Sequence, residues 1–327
     1  MQYRQLGNTD MRVSEMSFGT WAIGGSWGSV SDAESLRALE AAMDAGVNFF
    51  DTADVYGDGH SERLLAQATK GKADAVMIAT KFCRAADIYD AATYSADAVR
   101  AFCEGSLARL GRERIDLYQV HCPPIEALLD GSVFEALDRL KAEGKVREYG
   151  VSVESVKEGL LCLEYPGVKA LQVIYNLFRQ KPEEALFPAA RARGVGILVR
   201  LPLASGLLTG KFTESSTFAP DDHRSFNRDG DAFNVGETFA GLPFETGVAL
   251  ARELAWIGDG RGSMAAAAIR WILENEDITC VIPGFKNVRQ VEQNLSALAA
   301  PGFSAEERAR LRAFYEERVR PAIRGPY

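Results

Sequence analysis

The sequence predicts an α/β fold, a single (β/α)8 barrel of the TIM type over residues 1–327, and three observations lead there. Eight short runs rich in β-branched and aromatic residues alternate with longer stretches of helical periodicity, the pattern of repeated βα units around a parallel sheet. No shift in composition and no Pro/Gly/Ser linker divides the 327 residues, a length that one eight-fold barrel fills. No G-x-G-x-x-G follows the first run, which counts against a doubly wound dinucleotide-binding sheet.

Taken in order, "YRQL" and "RVSEM" flank "GNTD" and read as a hairpin turning on Gly and Asn, placed as a cap under the barrel. The eight runs follow as "MSFGTW" (16–21), "NFFDTA" (48–53), "VMIATK" (76–81), "LYQVHC" (117–122), "EYGVSV" (148–153), "LQVIYN" (171–176), "GILVRL" (196–201) and "CVIPGF" (280–285). Between the first two, "DAESLRALEAAMDAG" places Leu36, Leu39, Ala42 and Met43 on one helical face, and Gly46 ends it. In "SADAVRAFCEGSLARLG", Ser95 supplies an N-cap and Gly111 a stop. After the seventh run, residues 203–245 form a long insertion rich in Gly, Asp, Ser and Asn. A segment of that length is expected to be functional, here as a lid across the barrel mouth.

Composition narrows the functions. A formal net charge of −8 argues against nucleic acid as a partner, because phosphate binding needs a basic face. The longest apolar patch, 264–273, is broken by Arg270 and too short to span a bilayer. The five cysteines are odd in number and show no metal spacing, so they read as reduced thiols, with no metal expected. The N-terminal stretch is polar and lacks the apolar core of a signal peptide, so the expected location is the cytoplasm. Oligomeric state stays open.

Chemistry gathers at strand ends. Asp51 lies near the end of the second run, Lys81 closes the third and His121 stands near the end of the fourth, while Tyr56 follows Asp51 by five residues. In a barrel these ends converge on one mouth. A phenol with its usual pKa near 10 gives up a proton reluctantly, and a neighbouring ammonium favours the phenolate. Asp51 would keep Lys81 charged, Lys81 would tune Tyr56 as a general acid/base, and neutral His121 would orient a carbonyl oxygen. Such a site needs a donor of an electron pair to the carbonyl carbon. A Schiff-base role for Lys81 leaves Tyr56 and the strand-eight segment unexplained.

The ordered set "FDTADVYG", "ATKF", "LYQVH", "GVS", "YNLF", "GLLTGK" and "IPG" resembles the aldo-keto reductase superfamily over roughly residues 3 to 300. Together with "GTWAIGG" it is similar to the bacterial general-stress and aldehyde-reducing branch. The resemblance implies an NADPH-dependent reductase of aldehydes or ketones, with NADH as a possible substitute, whose catalytic tetrad is Asp51, Tyr56, Lys81 and His121. It further implies that Ser152 and Gln172 grip the nicotinamide carboxamide. Leu203, Ser205, Gly206, Leu207 and Lys211 would form the loop over the pyrophosphate, and Gly284, Lys286, Gln290 and Asn294 would hold the adenosine end. Lys286, at a helix start, suits a 2′-phosphate.

Two departures stand out. Val153 replaces the common Asn after the serine, and Arg200 replaces the aromatic platform under the nicotinamide. Arg200 is expected to stack in its place, and its guanidinium could also pair with an anionic group. Trp21 and Trp27 are expected to wall the carbonyl or polyol substrate, with Asp54 as a hydrogen-bonding residue. Two alternatives share the fold: a sugar or alcohol dehydrogenase working oxidatively, and a slow cofactor-sensing regulatory protein.

Overall fold

The computed structural model describes residues 1–25, 27 and 30–327. Strands β1 (Tyr3–Gln5) and β2 (Arg12–Ser14) form the antiparallel hairpin, with Tyr3 opposite Ser14. The eight predicted runs become the parallel strands β3 (Phe18–Gly19), β4 (Phe49–Asp51), β5 (Met77–Phe82), β6 (Ile115–His121), β7 (Val146–Ser152), β8 (Val168–Ile174), β9 (Gly196–Arg200) and β10 (Ile278–Ile282). They neighbour one another in chain order. Parallel bridges from Met16 to Val281 and from Gly19 to Gly284 join the first to the last. The first barrel strand is shorter than its predicted run because a 3-10 helix begins at Trp21.

The hairpin seals the bottom. Leu6, Met11 and Val13 pack with the inward-facing Phe49, Ala79, Leu117, Ala170, Leu198 and Cys280. These positions alternate along the strands with residues facing the outer helices, as the pleat requires. Arg4 donates to the carbonyls of Ile278 and Leu273, both at 2.7 Å. At the turn, Gly7 has φ +55°, and a Cβ there would lie 2.3 Å from the Gly194 oxygen, so glycine is required.

The outer helices follow the expected caps. Ser31 accepts from the Glu34 amide at the start of helix Asp32–Asp44, which buries Leu39 and Ala42. Ser95 starts helix Ala96–Leu110, and Gly111 at φ +62° ends it. The 203–245 insertion departs from its polar reading. It contains the helix His223–Phe226 and several 3-10 turns, and a cluster of its phenylalanines packs into the main core. Phe212, Phe218, Phe239 and Phe244 make that cluster, with ring centroids 4.9–6.1 Å apart. No helix among the described residues is long and apolar enough to cross a membrane.

Candidate active site

Strand ends β4, β5 and β6 bring Asp51, Lys81 and His121 to the mouth, and the turn after β4 returns Tyr56 to them. Lys81 is fully buried. Its three N–H bonds all find oxygen: Asp51 Oδ2 at 2.6 Å, the Thr52 carbonyl at 2.9 Å and Tyr56 Oη at 3.3 Å. Three acceptors for three donors fix the ammonium without a water. Asp51 Oδ1 accepts from Gln172 Nε2 at 2.7 Å, so both carboxylate oxygens are paired.

The electrostatics follow from burial and this pairing. Burial opposes charging Lys81, but Asp51 and then the Tyr56 oxygen outweigh it and hold its pKa above the ordinary value. Tyr56 differs from the sequence expectation. Burial raises its pKa above 10, Lys81 offsets part of that rise, and Asp51 adds to it. His121 falls well below 6.5 because burial, Arg84 and Lys81 all disfavour the imidazolium. Its ring meets Tyr56 edge-on at 5.9 Å, and its buried Nδ1 has no hydrogen-bond partner.

A cavity of about 710 Å³ opens on Tyr56, His121, Gln172, Arg200, Trp21 and Trp27. Trp21 lies nearly parallel to Tyr56 at 6.1 Å and meets Trp27 edge-on at 5.4 Å. His223, from the insertion, packs on both indoles at 4.7 and 4.3 Å. The two tryptophans therefore wall the cavity as expected of them. Asp54 does not. It is 5% exposed, outside the cavity, and neither carboxylate oxygen has a partner. Burial, then the charge of Glu62, raises its pKa to about 7. Asp54 is therefore set apart from the residues that line the cavity.

The cavity continues past Leu203, Ser205, Gly206 and Lys211 to Gly284, Lys286, Gln290 and Asn294. Leu201, Ala204 and Ser205 have φ of +54°, +47° and +55°. Two of these strained non-glycine residues, Leu201 and Ser205, stand in the cavity wall, a mark of a functional loop. Ser205 Oγ donates to the Glu237 carbonyl at 3.1 Å and accepts from the Phe239 amide at 3.2 Å, fastening the insertion. Gln290 Oε1 accepts from the Lys286 amide at 2.8 Å, and Asn294 donates to the Gly284 carbonyl at 3.3 Å. Both brace the turn after β10. The Lys286 ammonium donates to the Trp27 carbonyl. Burial, then Arg224, lowers its pKa. Ser152 and Leu207 lie behind the wall rather than in it: Ser152 is packed against Cys122 Sγ at 3.4 Å, and Leu207 belongs to the core.

Sequence reasoning missed a buried ionic cluster. Arg200 reaches Glu154 and Glu237, each at 3.2 Å, while Arg84 reaches the same two carboxylates at 3.1 and 2.6 Å. Burial and then Glu237 raise the Glu154 pKa to about 7. For Glu237, Arg84 and Arg200 outweigh burial and hold the carboxyl low. Cys122, Glu154 and Glu237 place donor atoms within 4.8 Å of one another, but the two guanidinium groups already occupy that space and oppose a cation. Arg84 and Glu154 were both open to the rule that singled out Lys81, each a charge two residues past a strand end, whereas Glu237 in the insertion carried no such signal. Arg224 and Arg289 also line the cavity; Arg289, three residues after Lys286 at the start of the same helix, could have been found by that spacing.

The family model described as "Aldo/keto reductase family" matches residues 15–316. The chain is 32% identical to the Bacillus subtilis aldo-keto reductase YhdN, over 100% of its own length and 97% of the relative's. It is 30% identical to a probable voltage-gated potassium channel subunit beta of Oryza sativa, covering 91% of each chain. Among solved structures, the glycerol dehydrogenase of Gluconobacter oxydans superposes with a TM-score of 0.79 at 28% identity, over 100% of this chain and 98% of that one.

Proposed function

Since the chain belongs to the aldo/keto reductase family, oxidoreductases of carbonyl compounds that use nicotinamide cofactors, we propose that it reduces aldehydes or ketones to alcohols with NADPH. One observation carries the reading: Tyr56 lines the cavity while a buried, carboxylate-paired ammonium donates to its hydroxyl oxygen at 3.3 Å.

Because Lys81 donates to Oη, the phenolic hydrogen is left to point elsewhere, toward the cavity that Tyr56 lines. The raised pKa keeps that proton in place at neutral pH, which suits an acid that must deliver it. Once it has gone, the phenolate is held by Lys81, whose charge Asp51 secures. Neutral His121 presents a ring N–H as a donor without adding charge, which orients a carbonyl oxygen beside Tyr56. The reduced nicotinamide, when bound, supplies the hydride. The cavity fits such a cofactor on two counts. Its volume is ample, and an added Cβ at Gly284 would meet only Ala22, at 3.9 Å, so the wall there stays open to close approach. Lys211, Arg224, Lys286 and Arg289 line the same cavity, a cationic wall suited to pyrophosphate and to the extra phosphate of NADPH.

The glycerol dehydrogenase neighbour favours oxidation of a polyol as the reverse use of the same site. The channel-subunit relative favours a role as a subunit of another protein, but a complete tetrad weighs against a protein that never turns over. The deciding experiment mixes protein, NADPH and methylglyoxal or 4-nitrobenzaldehyde and follows loss of the reduced cofactor's absorbance. Tyr56→Phe should lower kcat by about 10²–10⁴-fold with cofactor affinity kept. Equal turnover by Tyr56→Phe would sink the assignment.

A further inference from the structure

Two arginines and two glutamates, drawn from four separate segments, meet in one place. Arg84 follows β5, Glu154 follows β7, Arg200 ends β9, and Glu237 comes from the insertion. Their side chains are 17%, 10%, 11% and 5% exposed, so four charges have been taken largely out of water. Replacing such a cluster with apolar residues is commonly neutral or stabilising, so fold stability alone does not account for it. Arg200 lines the cavity within the same wall as Tyr56, His121 and Gln172.

The number of charges is informative. A nicotinamide ring is neutral when reduced and carries one positive charge when oxidised. A lone guanidinium in the wall would repel the oxidised ring and leave the reduced one unaffected. One carboxylate would cancel Arg200, but two carboxylates contact it, and the second is cancelled in turn by Arg84. At about pH 8, above the Glu154 pKa of about 7, all four groups are ionised, and two positive and two negative charges sum to zero. We propose that this four-ion cluster keeps the wall beside Tyr56 electrically neutral and thereby sets the affinity of the site for oxidised relative to reduced nicotinamide. The inference rests on the reading that nicotinamide binds beside Tyr56 and Arg200. In this role Arg200 and Glu237 face the cavity, and Glu154 and Arg84 are positioning residues that act through them.

The test is a binding measurement. Dissociation constants for NADP+ and NADPH are taken at about pH 8, where Glu154 is ionised, by fluorescence titration of the full-length protein, and their ratio is compared across variants. Glu237→Gln and Glu154→Gln each remove one negative charge and should raise the NADP+/NADPH ratio of dissociation constants by roughly ten- to a hundredfold. Arg84→Gln removes a positive charge and should lower it. Arg84→Gln combined with Glu237→Gln restores neutrality and should return the ratio toward that of the unmodified protein. A disturbance of packing alone would weaken both forms together and would not be repaired by a second substitution. If both forms bind and the ratio stays within about twofold in every soluble variant, the cluster does not have this role. Should Glu237→Gln not fold, the Arg84→Gln and Glu154→Gln pair carries the comparison, since their shifts must have opposite signs. If the unmodified protein binds neither form, the proposed cofactor is wrong, an outcome distinct from an unchanged ratio.

Discussion

Asp54→Asn should make the protein more stable at alkaline pH. The Asp54 carboxyl is buried with no partner for either oxygen, and its pKa stands at about 7 against an ordinary 3.8. A raised acid pKa means that the folded state binds the proton more tightly than the unfolded chain. Between 3.8 and about 7 the unfolded chain has lost that proton while the folded protein keeps it, so stability falls as pH rises through this window. At ~1.4 kcal/mol per pH unit, the loss at pH 8 amounts to roughly 4 kcal/mol. An asparagine removes the charge but leaves unpaired amide groups, which cost about 1–3 kcal/mol. The net gain expected at pH 8 is therefore on the order of 2 kcal/mol. Near pH 4.5 the native carboxyl is protonated and resembles the amide, so the advantage should vanish or reverse. Urea denaturation of both proteins at the two pH values reads this directly. An advantage that fails to shrink on acidification would refute the reasoning, as would a variant less stable at pH 8.

Lys81→Met strips the ammonium from a buried pair and leaves Asp51 with only the amide donors of Gln172 and Gln119. Denaturant titration should show a loss of roughly 3–5 kcal/mol, and a loss under ~1 kcal/mol would mean the pair is not held as tightly as its 2.6 Å separation implies. Lys286→Met should weaken NADPH binding by roughly ten- to a hundredfold, since one charge-assisted phosphate contact contributes about 1.5–3 kcal/mol, and should affect NADH much less. Equal losses for both cofactors, measured by fluorescence titration, would place the Lys286 contribution elsewhere than on the extra phosphate.

The strands were legible because a strand buried on both faces reads as a short apolar run, and all eight runs became neighbours in one sheet. Asp51, Lys81 and His121 were legible for the same reason: a charge at the end of such a run has nowhere to go but the mouth. Glu237 was not, because a charge inside the insertion looks like an ordinary surface group until the fold chooses its partners. Asp54 shows the opposite failure. Its place between Asp51 and Tyr56 suggested the cavity, yet the backbone turn that delivers Tyr56 sends Asp54 the other way. The insertion was judged by its polar majority, whereas four scattered phenylalanines decide its shape.

The N-terminal hairpin has a consequence for traffic. With Leu6, Met11 and Val13 wedged into its floor, the barrel is a blind alley and not a corridor. Every molecule that arrives must leave by the same doorway. Selectivity is therefore decided at one rim, whose loops are free to vary while the sealed floor stays as it is.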